Sequence, residues 1–172
     1  QMVKANINPA DVHHVFISHL HFDHVDDSAY FLISSRMGNR KVKPRIFGPP
    51  GTRDFVEHLL ENGAYKLDIA ARARYRQRAE SMEMIRPEVI EFKPGLIFED
   101  GLVRIHADYV DHIEADILHC FGFRLELLGK SIAFSGDTKP CDTMRRFAHD
   151  CDLLIHECTF PEEALAFRAR TQ

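Results

Sequence analysis

The stretch Ser18-His19-Leu20-His21-Phe22-Asp23-His24 decides how this sequence is interpreted, because it places three imidazoles and one carboxylate within a few residues. We call it the histidine segment. Before it, residues 12–18 mix β-branched and aromatic types, which predicts a buried strand that ends in a loop. The structural alternative is a solvated polar loop. So dense a cluster favours a metal site, since imidazole is the commonest metal-ligating side chain.

The spacing within the histidine segment predicts which residues share an ion. His19 and His21 are two positions apart, so in an extended chain both rings point to the same side and can bind one ion. Asp23 and His24 lie just past the expected bend and can turn toward a second ion. Imidazole nitrogen and carboxylate oxygen at about 2.0–2.2 Å suit zinc, whereas calcium and magnesium sites are built from oxygen.

Composition predicts one soluble domain spanning residues 1–172. The chain has 172 residues with 45% apolar content, enough for a proper core, and it contains no apolar run near the roughly 20 residues of a membrane span. A net charge of −4 provides no general attraction to nucleic acid. The four cysteines show no paired spacing and no secretion signal is present, which predicts reduced thiols and a cytoplasmic location.

The first half of the chain predicts a β-turn-α unit followed by a polar helix. Lys43 to Phe47 is typical of a strand, Gly48-Pro49-Pro50-Gly51 of a turn, and Thr52 is placed to cap a helix. Residues 66–86 are polar and arginine-rich, which predicts a solvated helix, with a substrate or partner surface as the alternative.

The second half predicts a β-meander. The expected strands, the last two joined by a tight turn at Gly129, are Val89–Phe92, Leu102–Val110, Cys120–Leu127 and Ser131–Ser135. A short helix around Met144 to Ala148, a strand Leu153–Ile155 and a helix beginning at Pro161 should follow.

At this point the chain resembles the metallo-β-lactamase superfamily, whose signature is His-x-His-x-Asp-His after a buried strand. The resemblance extends to a later histidine after a strand, to Gly136-Asp137-Thr138 and to His156-Glu157. It implies an α+β fold, the αββα metallo-β-lactamase sandwich. The N-terminal strands and the C-terminal ligand region of that fold have no counterpart here, so we expect a fragment incomplete at both ends.

Three histidines could be the later ligand. His106 alternates with apolar neighbours and should lie on a polar strand face, while His119 shares strand parity with Phe121 and should lie on an apolar face. His112 lies just past the strand end, where family members carry the ligand. We therefore favour His112, with His119 as the alternative.

The resemblance implies a role for each site residue. His19, His21 and His112 would hold one ion, Asp23 and His24 would begin the second site, and Asp137 would span both. Asp23, Asp137 and Glu157 would be the catalytic residues, with Glu157 helping to move a proton to the leaving group. For Asp137 the structural alternative is an Asx turn, and for Glu157 it is a buried carboxylate at a strand end. We expect two Zn²⁺ ions per active site in the full-length protein.

Two family comparisons narrow the chemistry. By this resemblance, Asp137 stands where true β-lactamases carry a Cys ligand, which argues against antibiotic hydrolysis. Flavodiiron relatives carry Glu at the position of His21, which favours zinc chemistry over iron redox.

Two further motifs, Phe121-Gly122-Phe123-Arg124 and the residues 136–141 around Asp137, resemble the ribonuclease Z and arylsulfatase-like branch. That similarity implies a hydrolase of phosphodiester or sulfate ester bonds in a small-molecule or nucleotide substrate. The alternatives are a tRNA 3′-processing endoribonuclease and a non-catalytic metal-binding domain. RNA is less favoured because the long arm of ribonuclease Z is replaced by a short hairpin and its usual Gly by Phe22. We expect no membrane association and leave a homodimer open.

Overall fold

A computed structural model describes residues 2–74, 80–113 and 117–159. These residues group into two compact units. The first comprises residues 2–74, 80–93 and 117–119, and the second comprises residues 94–113 and 120–159. The single domain over residues 1–172 stays a prediction. Within the described residues, no helix combines the length and apolar character that crossing a membrane would need.

The first unit is built on a three-stranded parallel sheet in the order β1-β2-β3. Its strands are β1 (His14–Phe16), β2 (Arg45–Gly48) and β3 (Glu88–Glu91). β2 lies in the middle, and its Ile46 and Phe47 are buried, as expected for a central strand of a parallel sheet. The assignment of Val89–Phe92 to an antiparallel meander was therefore wrong, because β3 pairs in parallel with β2.

Helices connect these strands and supply most of the core of the first unit. They are α1 (Phe22–Val25), α2 (Ser28–Met37), α3 (Thr52–Leu60) and α4 (Lys66–Ala73), with short 3₁₀ helices at Met2–Ala5, Pro9–Asp11 and Glu80–Ile85. Their buried apolar residues, including Leu32, Leu60 and Ile85, form one cluster with Ile46 of β2. The cluster anchors the end of β1, from which the histidine segment emerges.

Thr52 is not the cap of α3, contrary to the sequence prediction. The capping position is Gly51, with a positive φ of 96°, and Thr52 is the first helical residue. Its hydroxyl donates to the Pro49 carbonyl at 2.7 Å. The free amides of the helix start are bound instead by Glu91, which accepts from Gly51 N–H at 2.9 Å and from Arg53 N–H at 3.0 Å.

The polar segment 66–86 is only partly the solvated helix that was predicted. α4 ends at Ala73. Residues 75–79, which include Arg76 and Arg78, lie outside the described residues. The following 3₁₀ helix contributes Met82 and Ile85 to the core, so this part of the segment is not a purely solvated face.

Arg40 ties the start of the first unit together, a role that sequence patterns did not indicate. It is only 4% exposed. Its guanidinium donates to the carbonyls of Val12 at 2.8 Å and Pro9 at 2.6 Å, and to the Ser35 hydroxyl at 3.0 Å. These bonds hold the residues just before β1, since a buried guanidinium is tolerated only when its donors are satisfied.

The second unit is a five-stranded sheet in the order β4-β5-β6-β7-β8. Its strands are β4 (Gly95–Glu99), β5 (Val103–Tyr109), β6 (Phe121–Leu127), β7 (Lys130–Phe134) and β8 (Leu153–Ile155). β5 to β7 form the predicted antiparallel meander, and β8 pairs with β7 in parallel. β4, which was not predicted, adds a further antiparallel strand beside β5. The turn at Gly129 was correct, with a positive φ of 74° that suits glycine. The predicted helix from Pro161 lies outside the described residues.

One helix, α5 (Asp142–Ala148), packs on β6 and explains the motif Phe121-Gly122-Phe123-Arg124. A side chain at Gly122 would put its Cβ 2.8 Å from Met144 Sδ, so only glycine leaves room for the helix. Arg124 donates to the carbonyls of Phe147 at 2.5 Å and His149 at 3.1 Å, where the helix ends. Gly122 therefore allows α5 to pack against β6, and Arg124 binds the end of that helix.

Candidate metal centre

The histidine segment leaves the end of β1 as a buried extended chain and then turns into α1. Ile17 N–H donates to the Phe47 carbonyl at 2.8 Å, which extends the sheet contact beyond β1. Ser18 and His19 are buried, whereas His21 occupies the capping position of α1. The predicted order of strand, loop and bend is confirmed, although the strand itself is only three residues long.

His19 and His21 bring two ligand nitrogens together within the first unit. His19 Nε2 lies 3.0 Å from His21 Nδ1. Ser18 Oγ lies 3.1 Å from His19 Nδ1, so a proton on that nitrogen leaves Nε2 with its lone pair available. Zinc–nitrogen bonds of about 2.0–2.1 Å place two ligand nitrogens about 3 Å apart. In the absence of an ion, the same two nitrogens can share a hydrogen bond. The pair therefore fits a metal of the zinc class.

Asp23 and His24 form a second pair in the first turn of α1. Asp23 Oδ2 lies 3.7 Å from His24 Nε2, and both side chains are partly exposed. The ring of His24 also lies beside that of His19, with 4.1 Å between ring centroids. The first unit thus holds one pair at residues 19 and 21 and an adjacent pair at residues 23 and 24.

His112 and Asp137 form the corresponding pair of the second unit. His112 follows the end of β5 and Asp137 follows β7, and a ligand atom of each lies within 4.8 Å of the other. The backbone carbonyl of Asp111, the neighbour of His112, accepts from Lys139 N–H at 2.7 Å. This backbone hydrogen bond therefore holds these two strand ends in one arrangement.

Glu157 lies just beyond β8 and binds the turn that carries Asp137. Its Oε1 accepts from Thr138 N–H at 2.7 Å, and its Oε2 accepts from the Thr159 hydroxyl at 2.5 Å. Burial alone would raise the pKa of Glu157, but the hydrogen bonds from Thr159 and Thr138 outweigh it and hold that pKa below the usual value. The carboxylate is half-buried and ionised at neutral pH.

The other two candidates for the later histidine ligand were His106 and His119. His106 is on β5, on the face of Arg104 and Asp108, as strand parity predicted, since the alternating Ile105 and Ala107 are buried. His119 precedes β6, which begins at Phe121, so the parity argument does not apply to it. His119 is grouped with the first unit, whereas His112 and Asp137 belong to the second.

Sequence reasoning gave no role to the small hydroxyl residues beside the predicted ligands. Ser18, Ser135 and Thr138 are all buried, and each bonds a ligand or its backbone neighbour. A hydroxyl residue buried directly next to a predicted ligand is the signal that could have identified them, because buried hydroxyls need partners.

The four cysteines are free, as predicted. Burial, together with the charge of Asp137, raises the pKa of Cys120 to about 11, so its thiol stays protonated. Cys120 is therefore a buried structural residue.

Comparisons with known proteins agree with this geometry. The family described as anti-Pycsar protein Apyc1 matches residues 1–168. A ribonuclease Z of Mycobacterium bovis is 33% identical over 153 residues, covering 87% of this chain and 52% of that protein. The chain thus spans about half the length of the curated relatives it matches.

Two solved structures show the fold. Human tRNase Z, short form, has a TM-score of 0.67 at 20% identity, covering 98% of this chain and 66% of that chain. The metallo-β-lactamase fold protein YhfI of Bacillus subtilis has a TM-score of 0.65 at 19% identity, covering 92% of this chain and 54% of that chain. The predicted metallo-β-lactamase fold and its ribonuclease Z-like character are confirmed.

Proposed function

The chain belongs to the family described as anti-Pycsar protein Apyc1, and from that premise we propose that it is a metal-dependent hydrolase of phosphodiester or sulfate ester bonds. The substrate would be a small-molecule or nucleotide ester. The observation that carries the proposal is the pair of ligand nitrogens on His19 and His21, 3.0 Å apart, with Ser18 beside the first ring. Relatives named ribonuclease Z, which cleave RNA esters according to their name, support the same class of bond.

Each pair of candidate ligands would contribute to a site for two metal ions. His19, His21 and His112 would hold one zinc-class ion, Asp23 and His24 would begin the site of a second, and Asp137 would contact both. Two such ions, when bound, would lower the pKa of water toward about 7 and so make a nucleophile available at neutral pH.

The protein's own residues orient these ligands. Ser18 would keep the Nε2 atom of His19 available, and the carbonyl of Asp111 would hold the turn of Asp137 close to His112. Outer partners of this kind are worth about 10–100-fold in metal affinity or activity when removed. The described chain therefore supplies both the ligands and their supports.

A tRNA 3′-processing endoribonuclease is the second candidate, favoured by the name of the 33% identical relative. Two observations weigh against it. β6 and β7 are joined only by Leu128 and Gly129, where ribonuclease Z is expected to carry its tRNA-gripping arm. Phe22, which stands where ribonuclease Z usually has Gly, is 79% exposed.

The test is metal content per chain in the full-length protein, paired with hydrolysis of bis-p-nitrophenyl phosphate. We expect about two zinc-class ions per chain and activity that is lost in Asp137→Ala. Asp142→Ala is the matched control, because the Asp142 side chain is 91% exposed on α5 and forms its ion pair with Arg145, which is itself exposed. Metal without turnover would support the non-catalytic alternative, and salt-sensitive tRNA cleavage would support the nuclease. Absence of metal would refute the proposal.

A further inference from the structure

We propose that Glu157 is a positioning residue whose carboxylate holds the backbone of Thr138 and, through it, the side chain of Asp137. This inference rests on the proposed function. It gives Glu157 a task different from the proton transfer that the family resemblance implies.

Both carboxylate oxygens of Glu157 already act as acceptors. Oε1 accepts from Thr138 N–H at 2.7 Å, and Oε2 accepts from Thr159 through its hydroxyl at 2.5 Å and its N–H at 3.4 Å. An ionised carboxylate is an acceptor only, whereas a proton donor must carry the proton on one of these oxygens. The neighbours of Glu157 therefore stabilise the form that cannot give a proton to a leaving group.

The amide that Glu157 binds belongs to the peptide bond between Asp137 and Thr138. Because a peptide unit is planar, fixing its N–H also fixes the ψ angle of Asp137. The Asp137 side chain leaves the backbone one bond from that peptide. A hydrogen bond at 2.7 Å to the next residue, Thr138, thus helps to set the direction of the proposed ligand Asp137.

Glu157 is itself held from the strand side. Its N–H donates to the Ser135 hydroxyl at 3.0 Å, and Ser135 N–H donates to the Ile155 carbonyl at 3.0 Å. Across the turn, Lys139 N–H donates to the Asp111 carbonyl at 2.7 Å. Glu157 therefore connects the end of β8 to the turn after β7, and the turn connects to the strand end that carries His112.

Two substitutions separate positioning from proton transfer. Glu157→Gln keeps a carbonyl oxygen for the Thr138 amide but cannot exchange a proton at neutral pH, whereas Glu157→Leu removes the acceptor. If Glu157 positions Asp137, Gln retains activity within about threefold of wild type and Leu loses about 10–100-fold in zinc affinity, as expected for an outer partner of a ligand. Glu99→Leu on the edge strand β4 is the control and should leave both properties unchanged.

Three readouts make the experiment decisive. The first is zinc affinity by chelator competition, and the second is hydrogen exchange of the Thr138 amide, which should accelerate in Glu157→Leu even without metal. The third is hydrolysis of aryl and alkyl phosphodiesters. Positioning predicts the same loss for good and poor leaving groups in Glu157→Leu, since metal binding is impaired for both.

The contrary results are equally clear. The inference is overturned if Gln is as inactive as Leu, if the loss grows with the pKa of the leaving group while zinc affinity stays unchanged, or if the Thr138 amide exchanges at the wild-type rate in Glu157→Leu. In those cases wild-type metal binding and turnover still stand, so the proposed function survives. A wild-type protein without metal would instead refute the proposed function, and this inference with it.

Discussion

The two units build their proposed ligand pairs in different ways. In the first, all four proposed ligands lie in seven consecutive residues, and Ser18 within the same segment orients His19. In the second, His112 and Asp137 follow different strands, and the turn after Asp137 is held by backbone N–H groups that donate to Asp111 and Glu157. In a contiguous segment, the spacing of the ligands along the chain largely sets their relative positions. When two ligands follow different strands, their relative positions depend on hydrogen bonds to residues that are not ligands.

The largest effect is expected from a substitution in the histidine segment. His19→Ala removes a buried ligand, and we expect phosphodiester hydrolysis to fall at least about a hundredfold, since outer partners alone are worth about 10–100-fold. His149→Ala, with a side chain 79% exposed, is the matched control and should keep wild-type activity. Initial rates and zinc content measure both. If the two variants were equally active, the histidine segment would not be part of the active site.

Arg40 tests whether the first unit depends on a long-range support of its own. Arg40→Met removes three hydrogen bonds and leaves the carbonyls of Pro9 and Val12 without their donor, so we expect a loss of about 3 kcal/mol in the free energy of unfolding. Urea denaturation followed by circular dichroism measures it. Arg74→Met, at an exposed position of the same unit, should change little. If the two variants unfold alike, the buried guanidinium is not a support.

Gly122 tests the corresponding support in the second unit. Gly122→Ala forces its new Cβ against Met144 Sδ and Val110 Cγ1, so we expect a destabilisation of about 1–3 kcal/mol in thermal or urea unfolding. The cost of Met144→Ala should be smaller in the Gly122→Ala background than in wild type, because the truncation makes room for the added methyl. Additive costs would show that the two residues do not compete for the same space.

The smallest expected effect concerns an ion pair that supports neither ligand pair. Lys130 donates to Asp152 at 2.6 Å, and that hydrogen bond lowers the pKa of Asp152 and raises the pKa of Lys130. The stabilisation from Asp152 is present above the unfolded-state pKa and is lost as pH falls through the lower folded-state pKa. Melting temperatures of wild type and Asp152→Asn should differ slightly at neutral pH and converge in acid. A gap that widens in acid would contradict the assignment.

The predictable part of the molecule was the part with local patterns. The histidine segment, the meander and the turn at Gly129 follow from spacing, alternation and glycine chemistry within a few residues. The parallel pairing of β3 with β2 was not predicted, because parallel partner strands are distant in sequence. A short apolar run indicates a strand but not the strand it pairs with. Likewise, the acceptor role of Glu91 at the start of α3 depends on a hydrogen bond between residues 40 positions apart.

The turn between β6 and β7 has a consequence for the length of chain that can join these two strands. Leu128 is 80% exposed, and a Cβ on Gly129 would meet no atom within 4 Å, so nothing packs over this turn among the described residues. Each doubling of a loop costs only about 0.6 kcal/mol in closure entropy. A longer connection can therefore be inserted between β6 and β7 without repacking the sheet.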